Sequence, residues 1–456
     1  MIPEVHYARP GNEHIAYQVF GSGDLDLVYV AEFWHSIEAQ WDEPRFAAFL
    51  RRLGTFSRVI CLDQRGSGLS DPLPLGEQPS LDLAADDVRA VMDAVGVPRA
   101  ALLGVAGGSL ISSLLAATSP ERVQAMILLH GLARLTAAPD YPWGTTPAFE
   151  DRIMADLSNG WGRGVLADVL GPSEADDPAF RSWLARYQRL GASPGEVLAQ
   201  RRMVQKVDIR QVLPAIQAPT LVVHRRDNRL INVGHGRYLA ENIPGAELVE
   251  IPGGDHLPFL GDPEAILTPI ERFLTGTVAP TDQGRVLATI LFTDIVGSTA
   301  HAARIGDGRW RRLLEEHNAV VRTELERYRG RELERAGDGF VALFDGPGRA
   351  VRCALDIQAG VRDLGLVLRA GVHTGEVELL GTEVEGIAVH IGALVAAAAA
   401  PGEVVVTSTV RDLVAGAGIA LTDRGTRMLR GVPGRWKLFV ASDGMEGGRA
   451  SRGDGP

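Results

Sequence analysis

Two patterns of apolar and polar positions divide the chain. Up to about residue 275, short apolar runs alternate with amphipathic stretches, as in a parallel sheet covered by helices. The runs at 27–31, 58–62, 101–105, 125–129 and 220–224 are the predicted strands. Between them, Leu83, Val88, Val91, Met92 and Val95 fall at helical spacing and predict a helix over 82–95. A long helical stretch at 132–214 carries Trp143, Trp161 and Trp183. The pattern then lapses over 276–285, where Gly, Pro, Thr and Asp cluster, which marks a linker between domains.

Beyond the linker the pattern changes character. The apolar run ILFT ends in Asp294 and is followed by Gly297, Ser298 and Thr299, which predicts a buried strand with one carboxylate at its tip and a turn whose N–H groups can face phosphate. Gly337-Asp338-Gly339 sits between Glu334-Arg335 and the apolar run 340–344, a tight hairpin that would lift Asp338 to the same height. Two hard oxygen ligands facing a polyphosphate would make an Mg²⁺ (or Mn²⁺) site, the alternative being a pair of ordinary turn aspartates. A helix is expected over 310–328, with Trp310, Leu313, Leu314, Val320, Val321, Leu325 and Tyr328 on its buried face and His317 at the edge of the core. The segment 443–456, rich in glycine and charge, is expected to be disordered.

Composition narrows the function classes. At 456 residues, two cores are expected. A formal charge of -11 leaves no broad cationic surface, so neither nucleic acid nor a membrane is an expected partner. Cys61 and Cys353 are too few for a disulfide framework and suit a reducing compartment. With no signal pattern and no apolar run of about twenty residues, a soluble cytoplasmic protein is expected.

Six stretches in 286–442 carry a resemblance: FTDIVGST, AGDGFVALF, RAGVHTGEVE, GIAVHIGALV, PGEVVVTSTV and LRGVPGRWKLF. In this order they resemble the class III adenylate/guanylate cyclase domain, an α+β fold of ferredoxin-like type. The resemblance implies a homodimer with active sites shared between chains, Asp294 and Asp338 as metal ligands, and ATP or GTP as substrate. It also places Arg430 where the family has a phosphate-binding lysine. The base-reading positions hold Glu334 and Glu383, and a carboxylate at 334 removes the donor that adenine N1 would need. Glu334 suits guanine, but Glu383 then sets a second acceptor against O6. The transition-state positions hold His390, which can still donate a hydrogen bond, and Leu394, which supplies no charge. A missing cation at a phosphoryl transition state costs roughly a thousandfold or more in rate.

Residues 1–275 resemble the α/β-hydrolase fold through DQRGSGLSDP, GVAGGS, SPERV and GGDHLPF, with 132–214 as its helical cap. The nucleophile position in GVAGG is Ala106, and Ser109 is expected a turn further along the helix. By register the acid position is Asn228, with Asp227 one place early, and His256 stands at the base. An imidazole with no hydroxyl to deprotonate cannot run an acyl-enzyme cycle. His256 and Asp227 could equally form a satisfied polar pair.

Two readings follow. One is a signalling protein of the cyclase family whose hydrolase-like half senses an unknown small molecule and whose cyclase half has weak or lost turnover while binding nucleotide. The other is an active adenylate or guanylate cyclase under N-terminal control. A structural N-terminal half whose pocket is filled with side chains is the alternative to a sensor. An esterase would need a nucleophile that the motifs lack.

Overall fold

A computed structural model describes residues 2–73, 78–276, 285–336, 339–380 and 383–443. They form two compact units that divide between Gln283 and Gly284. Most of the expected linker, the hairpin residues Gly337 and Asp338, and the expected tail from 444 onward lie outside the described residues.

The first unit is an eight-stranded sheet of β1 (Val5–Ala8), β2 (Ile15–Phe20), β3 (Asp26–Val30), β4 (Arg58–Leu62), β5 (Ala100–Val105), β6 (Val123–Leu129), β7 (Thr220–Arg225) and β8 (Glu247–Ile251). Its order is β1-β2-β4-β3-β5-β6-β7-β8. The pairs from β4 through β8 are parallel, whereas β1–β2 and β2–β4 are antiparallel. All six residues of β5 are buried, which is why it reads as a continuous apolar run. The expected helix appears as Leu81–Val95, started by the Ser80 hydroxyl accepting from Leu83 N–H and stopped by Gly96 at φ +76°. The cap consists of helices Pro147–Gly160, Ala167–Leu170, Pro178–Gly191 and Pro194–Lys206. Three of these begin with proline behind a side-chain cap, from Thr146, Asp177 and Ser193, so their starts are written locally.

The second unit is a mixed sheet of β9 (Arg285–Ile295), β10 (Arg331–Ala336), β11 (Gly339–Phe344), β12 (Leu368–Leu380), β13 (Glu383–Glu385), β14 (Val404–Thr407), β15 (Ile419–Met428) and β16 (Arg435–Asp443). The order is β10-β11-β9-β12-β14-β16-β15, with β13 folded onto β12. Only the β12–β14 pair is parallel among those described. Helices Asp307–Arg327 and Pro347–Arg362 cover one face, where Val321, Leu325, Val351 and Ile357 pack with Ala370 and Val372 of β12. Trp310, Leu313, Leu314, Val320 and Tyr328 join this core as the periodicity implied, and His317 is buried beside the Phe340 ring. Between Ala370 and Val372, Gly371 points to the opposite face, where a Cβ would lie 2.2 Å from Ala396 N, so helix Ile387–Ala398 can sit directly on the sheet.

Candidate functional site

In the first unit, β5 passes into helix Gly108–Thr118 through Val105-Ala106-Gly107. Ala106 has φ +46°, the left-handed region that a side-chain-bearing residue rarely adopts. The turn is sharp because the chain passes close to β3; a Cβ on Gly108 would lie 2.0 Å from the Val30 carbonyl oxygen. A methyl group therefore occupies the tip of a strand-to-helix elbow. Ser109 is fully buried in the first helical turn, donating to Ala106 O at 2.6 Å and accepting from Leu132 N–H at 3.1 Å. Its hydroxyl is committed to holding the elbow.

The arrangement around His256 is set by hydrogen-bond direction. Asn228 Oδ1 accepts from the N–H groups of Leu230 and Ile231 at 3.0 and 3.1 Å, which fixes the amide orientation and aims Nδ2 at His256 Nδ1, 3.1 Å away. An accepting Nδ1 puts the single ring proton on Nε2, and Nε2 donates to Glu32 Oε1 at 2.6 Å. Hydrolase chemistry needs the opposite tautomer, with Nδ1–H directed at a carboxylate and Nε2 free to take a proton. The possible partner Asp227 is not the one used: its N–H bonds Gly253 O, and the side chains that meet His256 are Asn228 and Glu32. The loop is held from behind by the buried Arg225 guanidinium, which donates to the carbonyls of Asp255 and Leu257 on either side of His256. Two further imidazoles lie nearby, His130 tilted at 5.4 Å from the His256 ring and His224 edge-on at 5.2 Å from His130. Burial lowers the pKa of both, that of His224 to about 4, so they stay neutral.

Ala106, Gly107 and Glu32 form part of the wall of a partly open pocket beneath the cap. The pocket is open space rather than filled with side chains. Its walls are apolar, with Leu132, Ile153, Leu157, Leu170, Val204 and Ile231, and two indoles, Trp34 and Trp161, meet edge to face there at 5.6 Å. Arg201 also lines it but is spent on Glu150, which it grips with bonds of 3.0 and 2.6 Å. Glu32 was not singled out from the sequence; only its place just after β3 hints at a pocket-facing role.

In the second unit, Asp294 lies near the end of the central strand β9, directly opposite Arg369 on β12, whose Nε donates to Asp294 Oδ2 at 2.7 Å. Arg369 opens the stretch RAGVHTGEVE, where the motif alone assigns it no role; strand register shows what it touches. Phe340 pairs with Thr293 and donates to its hydroxyl, so β11 begins at the level of Asp294. Gly297 adopts φ +68° and turns the chain into helix Ser298–Ile305, leaving the first N–H groups of that helix without intrahelical partners, with Ser298 part-buried and Thr299 exposed. Asp338 and the side chains of Glu334 and Glu383 lie outside the described residues, although Glu334 is opposite Val341 and Glu383 opposite Leu380 in the strand register. Among the described residues no group of three metal-ligating side chains occurs. Asp294 is nonetheless an oxygen donor of the hard type that Mg²⁺ takes, and it remains 35 % exposed.

His390 is exposed on helix Ile387–Ala398. Leu394, one turn on, packs against a cluster that contains Val395, Val405, Leu429, Val432 and Leu438. Leu429 and Val432 flank Arg430 in the β15–β16 loop, so one apolar cluster joins the His390–Leu394 helix to the exposed Arg430. One apolar cluster thus links Leu394 to the two residues flanking Arg430, while Asp294 and Arg369 meet across β9 and β12.

No described helix is long and apolar enough to cross a membrane. A family model for the alpha/beta hydrolase fold matches residues 40–263, and one for the adenylate and guanylate cyclase catalytic domain matches 283–442. The pimeloyl-[acyl-carrier protein] methyl ester esterase of Neisseria meningitidis serogroup C is 28% identical over 253 residues, which is 55% of this chain and 93% of that protein. A putative carbamate hydrolase, RutD, of Caulobacter sp. is 29% identical over 247 residues, 52% of this chain and 86% of the relative. Among solved structures, the esterase RhEst1 from Rhodococcus sp. is 25% identical with a TM-score of 0.50, covering 60% of this chain and 99% of its own. Residues 40–263 are therefore an α/β-hydrolase-fold domain, and residues 283–442 that follow are an adenylate/guanylate cyclase catalytic domain.

Proposed function

We propose that this is a signalling protein of the class III cyclase family in which the hydrolase-fold half binds a small molecule without turning it over, and the cyclase half binds a purine triphosphate with weak or lost turnover. The single observation that carries the N-terminal reading is the Asn228–His256–Glu32 chain, which fixes a ring proton on the nitrogen that a hydrolase base must keep free. With Ala106 at the elbow, neither an attacking atom nor an acceptor for its proton is present there. The hydrolase names of the relatives describe those proteins; the methyl group and the reversed tautomer argue against the same chemistry here.

In the cyclase half, Asp294 with Asp338 would hold Mg²⁺ or Mn²⁺, which would supply charge neutralisation to the triphosphate. Arg369, now on Asp294, is placed to shift onto a phosphate when the carboxylate takes another partner. His390 would orient the ribose and Arg430 would bind phosphate, while Leu394 leaves the transferring group without a cation. A dimer through this domain is part of the proposal, and the exposed apolar side chains of Ile387 and Met428 support such a contact. The alternative of an active cyclase rests on the retained Asp294–Arg369 pair.

A cyclase assay with ATP and GTP, each with Mg²⁺ and with Mn²⁺, beside calorimetric nucleotide binding by the full chain, tests the reading. Binding without product is expected. Robust product that vanishes in Asp294→Ala would select the active cyclase.

A further inference from the structure

The pocket under the cap has a polarity that defines its ligand, a deduction that rests on the sensor reading above. In a serine hydrolase the pocket floor attacks an electron-poor carbonyl and shelters the oxyanion that forms. Here the floor presents Glu32. One of its oxygens takes the His256 Nε2 proton, and the imidazole is held in its neutral form because Asn228 Nδ2 donates to the other ring nitrogen. Protonating His256 would set two donors against each other at Nδ1, and Asn228 cannot turn its oxygen there without losing the bonds from Leu230 and Ile231. The negative charge of Glu32 is therefore not cancelled by its partner. Arg201, the cation lining the cavity, is already committed to Glu150.

A second acceptor is buried behind the same wall. Gln200 is 3 % exposed, its Nε2 donates to Ser67 Oγ, and its Oε1 has no hydrogen-bond partner. A buried amide oxygen without a donor is costly unless something supplies one. The indoles of Trp34 and Trp161 add electron-rich faces that attract a cation. The remaining wall is aliphatic, as in most small-molecule sites.

We infer that the cavity binds an apolar amine, its ammonium group donating to Glu32 and its hydrocarbon body lying against the aliphatic and indole walls. An ester or carboxylate held by the backbone N–H of Gly107 is the rival ligand. An anion placed there would lie beside the Glu32 charge in a poorly solvated site, which disfavours it.

The test uses the full chain and four probes of one shape: 2-phenylethylamine, 2-phenylethanol, 3-phenylpropanoate and its methyl ester, each titrated calorimetrically near pH 7. The amine is expected to bind at least about tenfold more tightly than the others, and Glu32→Gln to erase that preference while sparing the alcohol. Glu32→Asp should retain part of it, and equal circular dichroism spectra exclude a folding defect. Should Glu32→Gln fail to fold, Leu157→Trp, which fills the cavity and leaves Glu32 in place, must abolish amine binding. The assignment falls if the ester or carboxylate binds more tightly than the amine, or if amine affinity survives Glu32→Gln or Leu157→Trp. Binding of the alcohol alone would sink the amine and leave the sensor standing. Binding of none of the four would sink both.

Discussion

The two halves accommodate their substituted positions in opposite ways. Around His256 the replacements close on each other: the amide of Asn228, the ring and Glu32 form a chain in which each donor meets an acceptor. In the cyclase unit, Leu394 instead joins an apolar cluster, while Asp294 keeps its arginine and its exposure. On the proposed reading, the first site is rebuilt around a different task, and the second lacks its transition-state cation and has altered base-reading positions beside surviving parts. A rebuilt site should resist rescue by one substitution, and a gapped one should respond to it.

The largest expected effect sharpens that contrast. Ala106→Ser alone should give no hydrolysis of p-nitrophenyl butyrate, because an asparagine-fixed tautomer costs about 10⁴ in turnover even with a serine in place. Ala106→Ser with Asn228→Asp and Glu32→Gly should give measurable turnover, and equal inactivity of the folded triple variant would show the elbow itself to be unfit. Next in size, Leu394→Arg should raise cyclic nucleotide formation by about 10²-fold or more if the rest of the site is sound. A folded variant with no gain would place the damage elsewhere, with Glu334 and Glu383 the next to exchange.

A smaller effect concerns His256 itself. In Asn228→Asp the carboxylate would accept from Nδ1–H while Glu32 still accepts from Nε2, so the ring should become an imidazolium between two carboxylates. Imidazole ¹⁵N NMR should show His256 carrying a proton on Nε2 alone in the unaltered protein and on both nitrogens in the variant, and an Nδ1 proton in the unaltered protein would refute the assigned tautomer. The smallest effect lies in the cyclase unit. His373 is buried with Nδ1 on Thr407 Oγ1, and burial lowers its pKa to about 4. The unfolded chain takes up that proton near 6.5, so stability is full above about pH 6.5 and falls as pH drops toward 4. His373→Gln, which can keep the bond to Thr407, should flatten the acid limb of the unfolding midpoint.

The sheet of the first unit was legible where strands are buried on both faces. Strands β3 to β7 stand out as apolar runs, but β1, β2 and β8 do not. Half of β1 is exposed, β2 mixes Tyr17 and Gln18 into its run, and β8 is a polar edge strand with Glu247 and Glu250. Motif spacing located Ala106, Asn228 and His256, yet Glu32 escaped because its partner is 224 residues away in the chain. Arg369 escaped for a related reason: its meeting with Asp294 depends on the register of β9 and β12, which periodicity does not fix.

The positive φ of Ala106 carries a practical consequence. The elbow aims whatever Cβ stands there at the cavity, so Ala106→Cys would turn the position into an attachment point. An environment-sensitive dye tethered to that thiol would sit against the bound guest and report its arrival as a change in colour or brightness. Cys61 and Cys353 are buried and neither lines that pocket, whereas position 106 does, which leaves the introduced thiol as the one favoured for labelling.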